Sequence, residues 1–133
     1  MPPNPSTHLR VLVLEDDDQV RQILTRLLRS QGHSVEEASR GTDALARFRP
    51  GKFHVIITDL AMPEMTGDVF AAAIKAAAPT QPIIMYTAYA PDCSQHPTSQ
   101  VDYLLPKPFR LDELKRAIAA VTAHRAPGPR ESG

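Results

Sequence analysis

The chain has 133 residues, 15 basic and 15 acidic side chains, and 42% hydrophobic residues. That length supports one domain with a real core and is short for two, and the balanced charge gives no field to draw the chain to nucleic acid or anionic lipid, so no direct DNA binding is expected. A single cysteine, Cys93, excludes an internal disulfide framework and fits a reducing compartment. The start, MPPNPSTH, has no apolar segment that could act as a signal peptide, and no run approaches the ~20 apolar residues that cross a bilayer. The expected location is therefore cytoplasmic, without membrane insertion.

Residues 1–8 and 126–133 are Pro-, Gly- and Ser-rich and have little to bury, so a disordered arm and tail are expected around a folded domain spanning 9–125. Arg10 to Leu14, RVLVL, is a continuous apolar run and reads as a buried strand. It ends in four acids, Glu15 to Asp18. Val20, Ile23, Leu24, Leu27 and Leu28 then recur at helical spacing with Arg21, Arg26 and Arg29 facing away, and Gly32 stops the pattern. Asp17 or Asp18 is expected to cap this helix, since a carboxylate can accept from the free amides of the first turn.

Ser34 to Ala38 is a weaker strand, followed by a helix over Thr42 to Phe48 that Pro50 and Gly51 end. Val55 to Thr58, VIIT, leaves no solvent face and reads as a buried strand with Asp59 at its end. Met62, Pro63 and Gly67 force a turn before a helix expected to carry Val69, Phe70, Ala73, Ile74 and Ala77 inward. Pro82 to Thr87 is the fourth strand. Between Ala88 and Gln100 apolar periodicity fails and only a shortened helix is expected. Val101 to Leu105 is the fifth strand, stopped by the PKP of 106–108, and Leu111 to Ala123 closes the domain as a helix with Leu114, Ile118 and Val121 inward. Strands alternating with helices imply an α/β fold, a doubly wound five-stranded parallel sheet.

In such a sheet the strand ends converge on one crevice. They bring Glu15 and Asp16, Asp59, Thr87 and Lys107 to it. Crowded carboxylates are tolerable when protons or a cation relieve them, and oxygen ligands with room for water suit Mg²⁺. Asp59 is then the candidate nucleophile for an acyl phosphate, with Lys107 as a point charge and Thr87 as a hydroxyl donor to a phosphoryl oxygen. The five histidines have no pair at ligand spacing and read as structural or solvent-exposed.

LEDD, TDLAMPEMTG, YTA and LPKPF, in this order, resemble the receiver domain of two-component response regulators along nearly the whole folded chain. The resemblance implies a flavodoxin-like receiver fold and a signalling switch, not a turnover enzyme. Glu15, Asp16, Asp59 and the backbone carbonyl of Ala61 would bind Mg²⁺, and Asp59, with Thr87 and Lys107, would take a phosphoryl group from a phosphohistidine. The implied partners are a histidine kinase or histidine phosphotransfer protein and a downstream protein target. With no output domain after Arg125, the output is expected to pass to a partner; Met1 points to a complete single-domain protein, while PKPF and the short fourth helix are similar to receivers attached to hybrid kinases.

Three features depart from the family pattern. Leu104 stands where a switch Tyr or Phe is usual, and Tyr103 is one residue early, so in a strand it faces the opposite side. The short, polar fourth helix gives little support to dimerisation through that face. Ala61 cannot orient a water, and Tyr89 can shield a phosphoryl group. These last two imply slow self-hydrolysis of a phospho-form, to be read as a half-life well beyond seconds in the isolated protein. The alternatives are a phosphorylation-independent binding module, a Mg²⁺-dependent aspartyl-phosphate phosphatase, for which Ala61 replaces the needed second acid, and a flavodoxin-like cofactor binder, whose phosphate the four acids would repel.

Overall fold

The computed structural model of the chain describes residues 8–60, 65–87, 101–107 and 109–123. Among them are five strands, β1 (Arg10–Leu14), β2 (Ser34–Ala38), β3 (Val55–Asp59), β4 (Ile83–Thr87) and β5 (Tyr103–Pro106). Four helices, α1 (Asp18–Ser30), α2 (Gly41–Arg47), α3 (Gly67–Ala77) and α4 (Leu111–Ala123), accompany them. The strands pair in parallel in the order β2-β1-β3-β4-β5. Strand order runs outward in both directions from the β1–β3 pair, which places the switch point, and the crevice beyond its carboxyl ends, between those two strands. The expected short fourth helix falls on 88–100, outside the described residues.

Strand side chains alternate between two cores, as a period of two requires. Val11, Val13, Ile57 and Ile84 meet Leu24 and Leu28 of α1 and Leu114, Ile118 and Val121 of α4. Leu12, Leu14, Ile56 and Ile83 meet Phe48, Phe70 and Ile74 on the other face. All five residues of β3 are buried, as expected for the central strand. β2, at the edge, is only half-buried, and its Glu36 and Glu37 pair with Arg47, Lys52 and Arg21, a charged edge that discourages strand addition.

Asp17 is the residue that caps α1, accepting from the amides of Gln19 (2.9 Å) and Val20 (3.1 Å). Gly32 stops the helix with φ of 91°, a left-handed conformation that costs glycine little. Several expected details are corrected. Arg21 does not face away: its guanidinium reaches Glu37 (3.2 Å) and the Glu15 carbonyl (2.9 Å), because the acids at the strand ends lie on its side of the helix. Ile23 and Val69 are exposed, at 59% and 55%, and Ala73 and Ala77 also face out; the stripe α3 buries is Phe70, Ala71 and Ile74. A helix made largely of alanine has few polar residues to mark its outer face, so its register was set by where Phe70 and Ile74 fit. β4 starts at Ile83 and β5 at Tyr103, because the Asp102 carboxylate forms a corner, accepting from the Ile83 amide and Lys75 Nζ, each at 2.8 Å. α2 is Gly41–Arg47, one residue earlier than expected at each end.

Thr25, 3% exposed in α1, has a buried hydroxyl with no hydrogen-bond partner among the described residues. An unsatisfied buried hydroxyl costs more than the methyl of the same shape. Thr25→Val is expected to stabilise the fold by about 1 kcal/mol, measured as a higher urea midpoint at unchanged slope.

Three histidines lie before the strands that start at this end of the sheet. His33 Nδ1 accepts from the Leu9 amide (3.1 Å) and His54 Nδ1 from the Arg10 amide (2.9 Å). Burial, and then the neighbouring His8, hold the His33 imidazole below its ordinary 6.5. The folded state therefore resists a proton that the unfolded chain accepts, so this contribution is present above 6.5 and is lost as pH falls. Protonation of Nδ1 also removes the Leu9 acceptor. His33→Gln should lessen the drop in melting temperature between neutral pH and about pH 5; an equal drop in both proteins would rule this origin out.

Candidate phosphoacceptor site

Register builds the site. Leu14 is level with Thr58, so the residues that follow each, Glu15 and Asp59, come side by side at the β1 and β3 ends. Glu15, Asp16 and Asp59 each offer a carboxylate oxygen, and these oxygens all lie within 4.8 Å of one another. Glu15 and Asp59 are buried, at 1% and 4% exposure, while Asp16 is open to solvent. On the next pairs, Asp59 is level with Tyr86 and Thr87 with Pro106, so the chain leaving β5 brings Lys107 across. Its Nζ lies 3.3 Å from Asp59 Oδ2. Thr87 ends β4 beside this group, while Ala61 and Tyr89 lie outside the described residues. Of the expected site residues, the structure thus brings together Glu15, Asp16, Asp59 and Lys107.

Leu104 and Tyr103 take opposite faces of β5, Leu104 against the α2–α3 core and Tyr103 against the α1–α4 core, as a one-residue offset demands.

Glu15 is held at every oxygen. Oε1 accepts from the Tyr86 hydroxyl, Oε2 from the Asp17 amide (3.0 Å), and the carbonyl from Arg21 (2.9 Å). Burial pushes the Glu15 carboxyl above its ordinary range, with the Asp59 charge adding to the rise, while the bonds from Tyr86 and Asp17 oppose it. Burial, then the adjacent Glu15 charge, drives the Tyr86 phenol far upward, so it remains a hydroxyl that donates. Among the described residues Lys107 is paired with Asp59 in this group of three carboxylates, and crowded carboxylates repel one another unless protons or a cation relieve them. Every donor is oxygen and one is solvent-exposed, a set that fits Mg²⁺ with part of its water shell kept.

Tyr86 and Arg21 are neighbours of this carboxylate group that the sequence does not single out as such. A phenol inside a wholly apolar strand, next to Thr87, was the available signal, because a buried tyrosine hydroxyl needs a partner.

Residues 11–119 match the family model of the response regulator receiver domain. The chain is 33% identical over 112 residues to the sensor kinase CckA of Brucella abortus, covering 81% of this chain and 12% of that protein. It is 33% identical over 120 residues to the transcriptional regulatory protein ZraR of Escherichia coli, covering 88% of this chain and 27% of that protein. The chain therefore spans about a tenth to a quarter of these curated relatives. Among solved structures, the response regulator protein TrrA of Thermotoga maritima, in complex with Mg²⁺–BeF, superposes with a TM-score of 0.75 at 30% identity, covering 84% of this chain and 97% of that one.

Proposed function

We propose that this chain, which belongs to the response regulator receiver domain family, is a signalling switch that accepts a phosphoryl group on Asp59 from the phosphohistidine of a kinase or phosphotransfer protein, with Mg²⁺. The observation that carries this reading is the cluster of Glu15, Asp16 and Asp59 oxygens within 4.8 Å, with Lys107 at 3.3 Å from Asp59, at the switch point of the sheet.

An Asp59 carboxylate oxygen attacks phosphorus, the P–N bond of the donor breaks, and the imidazole keeps the electron pair and then takes a proton. Lys107 offers its charge to the incoming phosphoryl oxygens, and Thr87 would donate its hydroxyl to one of them. Glu15 and Asp16 would hold Mg²⁺ together with Asp59 and the Ala61 carbonyl; the ion supplies charge neutralisation when bound. The added charge, about −2, then competes for Lys107 and Thr87, and the surface shifts only as far as contacts differ between the two states.

A groove of about 470 Å³ beside Lys107, lined by Val20, Ile23, Leu27, Tyr86 and Phe109, gives the donor a place to dock. It is apolar, it holds the exposed Ile23, and it is lined by Lys107, whose Nζ lies 3.3 Å from Asp59, so a docked donor would present its phosphohistidine near the acceptor. Incubation with acetyl phosphate and Mg²⁺ should add the mass of one phosphoryl group, and a chelator should prevent it. No gain under any condition would overturn the switch.

A further inference from the structure

Tyr86 is the one described side chain that touches both flanks of the Asp59 site. It is fully buried at the penultimate position of β4, level with Asp59. Its hydroxyl donates to Glu15 Oε1, so that with the Asp17 amide on Oε2 both oxygens of that carboxylate are fixed in direction. Its ring lies under Lys107, whose Nζ is 4.9 Å from the ring centroid, and Phe109 packs edge-on against it at 5.6 Å. Lys107 is thus held between the Tyr86 ring on one side and Asp59 on the other.

We infer that Tyr86 is a positioning residue of the phosphoacceptor site, its hydroxyl aiming the Glu15 carboxylate at a divalent cation and its ring holding the Lys107 ammonium at Asp59. The inference rests on the reading of Asp59 as phosphoacceptor and Glu15 as cation ligand. Donors that orient a ligating carboxylate raise metal affinity, and their loss costs about 10- to 100-fold. An ammonium over an aromatic face is held by the ring quadrupole whether or not the ring carries a hydroxyl. The two halves of the side chain therefore have separable roles.

The test uses the full chain and Mg²⁺ alone. Calorimetry should show Tyr86→Phe binding Mg²⁺ at least about 10-fold more weakly than wild type. With acetyl phosphate, the rate deficit of Tyr86→Phe should be relieved by raising Mg²⁺, whereas that of Tyr86→Leu, which lacks the ring, should persist at saturation. A second readout does not depend on phosphorylation. The chain has three tyrosines and no tryptophan, so a Mg²⁺-dependent change in tyrosine emission that is present in wild type and absent in Tyr86→Phe is assigned to Tyr86, whose phenol donates to Glu15. Wild-type Mg²⁺ affinity in Tyr86→Phe, or wild type that binds Mg²⁺ with no change in emission, would overturn the positioning role alone. Wild type that binds no Mg²⁺ would overturn the cation-site reading and this role with it.

Discussion

Asp59→Asn, incubated with Mg²⁺ and acetyl phosphate, should show no gain in intact mass while the wild-type protein gains one phosphoryl group. The carboxylate oxygen of Asp59 is the only nucleophile in the proposed step, and an amide cannot replace it. The loss should be complete at all Mg²⁺ concentrations, which separates it from variants that only weaken cation binding. A second consequence follows from the geometry. Asp59 also offers one of the three carboxylate oxygens that lie within 4.8 Å of one another, and a neutral amide there holds a cation less well, so Mg²⁺ should stabilise the variant less than wild type in thermal melts. A variant that still gained the phosphoryl group would place the acceptor elsewhere, with Glu15 and Asp16 the first to be tested.

Gly67→Ala should be the most damaging single methyl in the described part of this fold. A Cβ at Gly67 would sit 2.5 Å from the Asp59 carbonyl oxygen and 2.9 Å from the Leu60 Cα, both backbone atoms. The Gly67 amide also donates to the Leu60 carbonyl (2.9 Å), which seats the start of α3 against the end of β3. Neither side can yield without moving the strand end that carries the phosphoacceptor. Overpacking of this kind costs about 1–3 kcal/mol, read as a lower denaturant midpoint, and phosphoryl uptake should slow with it. Gly41 provides the contrast. A Cβ there would meet the Met65 side chain, with Sδ at 2.6 Å, and a thioether can swing aside. Gly41→Ala should therefore be milder; equal damage at both positions would show that backbone clash is not the cause.

Most of the residues that meet at the candidate site were legible in the sequence. Continuous apolar runs at 10–14 and 55–58 mark buried strands, and the acids that end them had to meet wherever parallel strands lie side by side. Lys107 was legible for the same reason, as the residue at which the fifth strand stops. The family motifs added the roles. What was not legible depended on which way an element turns. Val69 and Phe70 are adjacent and both apolar, and only the packing of Phe70 against the α2–α3 core decided which is buried. Arg21 carries a charge and so reads as outward on a helix, but it lies beside Glu37 and the Glu15 carbonyl, which satisfy its guanidinium in a half-buried place.

By itself, the sequence determined the alternation of strands and helices, the parallel sheet and the residues that end its strands, because hydrophobic period and turn chemistry are local properties. It also determined the family, through motifs whose spacing the alternation explains. Only the tertiary structure decided that Tyr86 bonds to Glu15 and underlies Lys107. That contact joins the ends of β1, β4 and β5 through the register that links β1, β3, β4 and β5, and register is a relation between segments that no single stretch of chain contains.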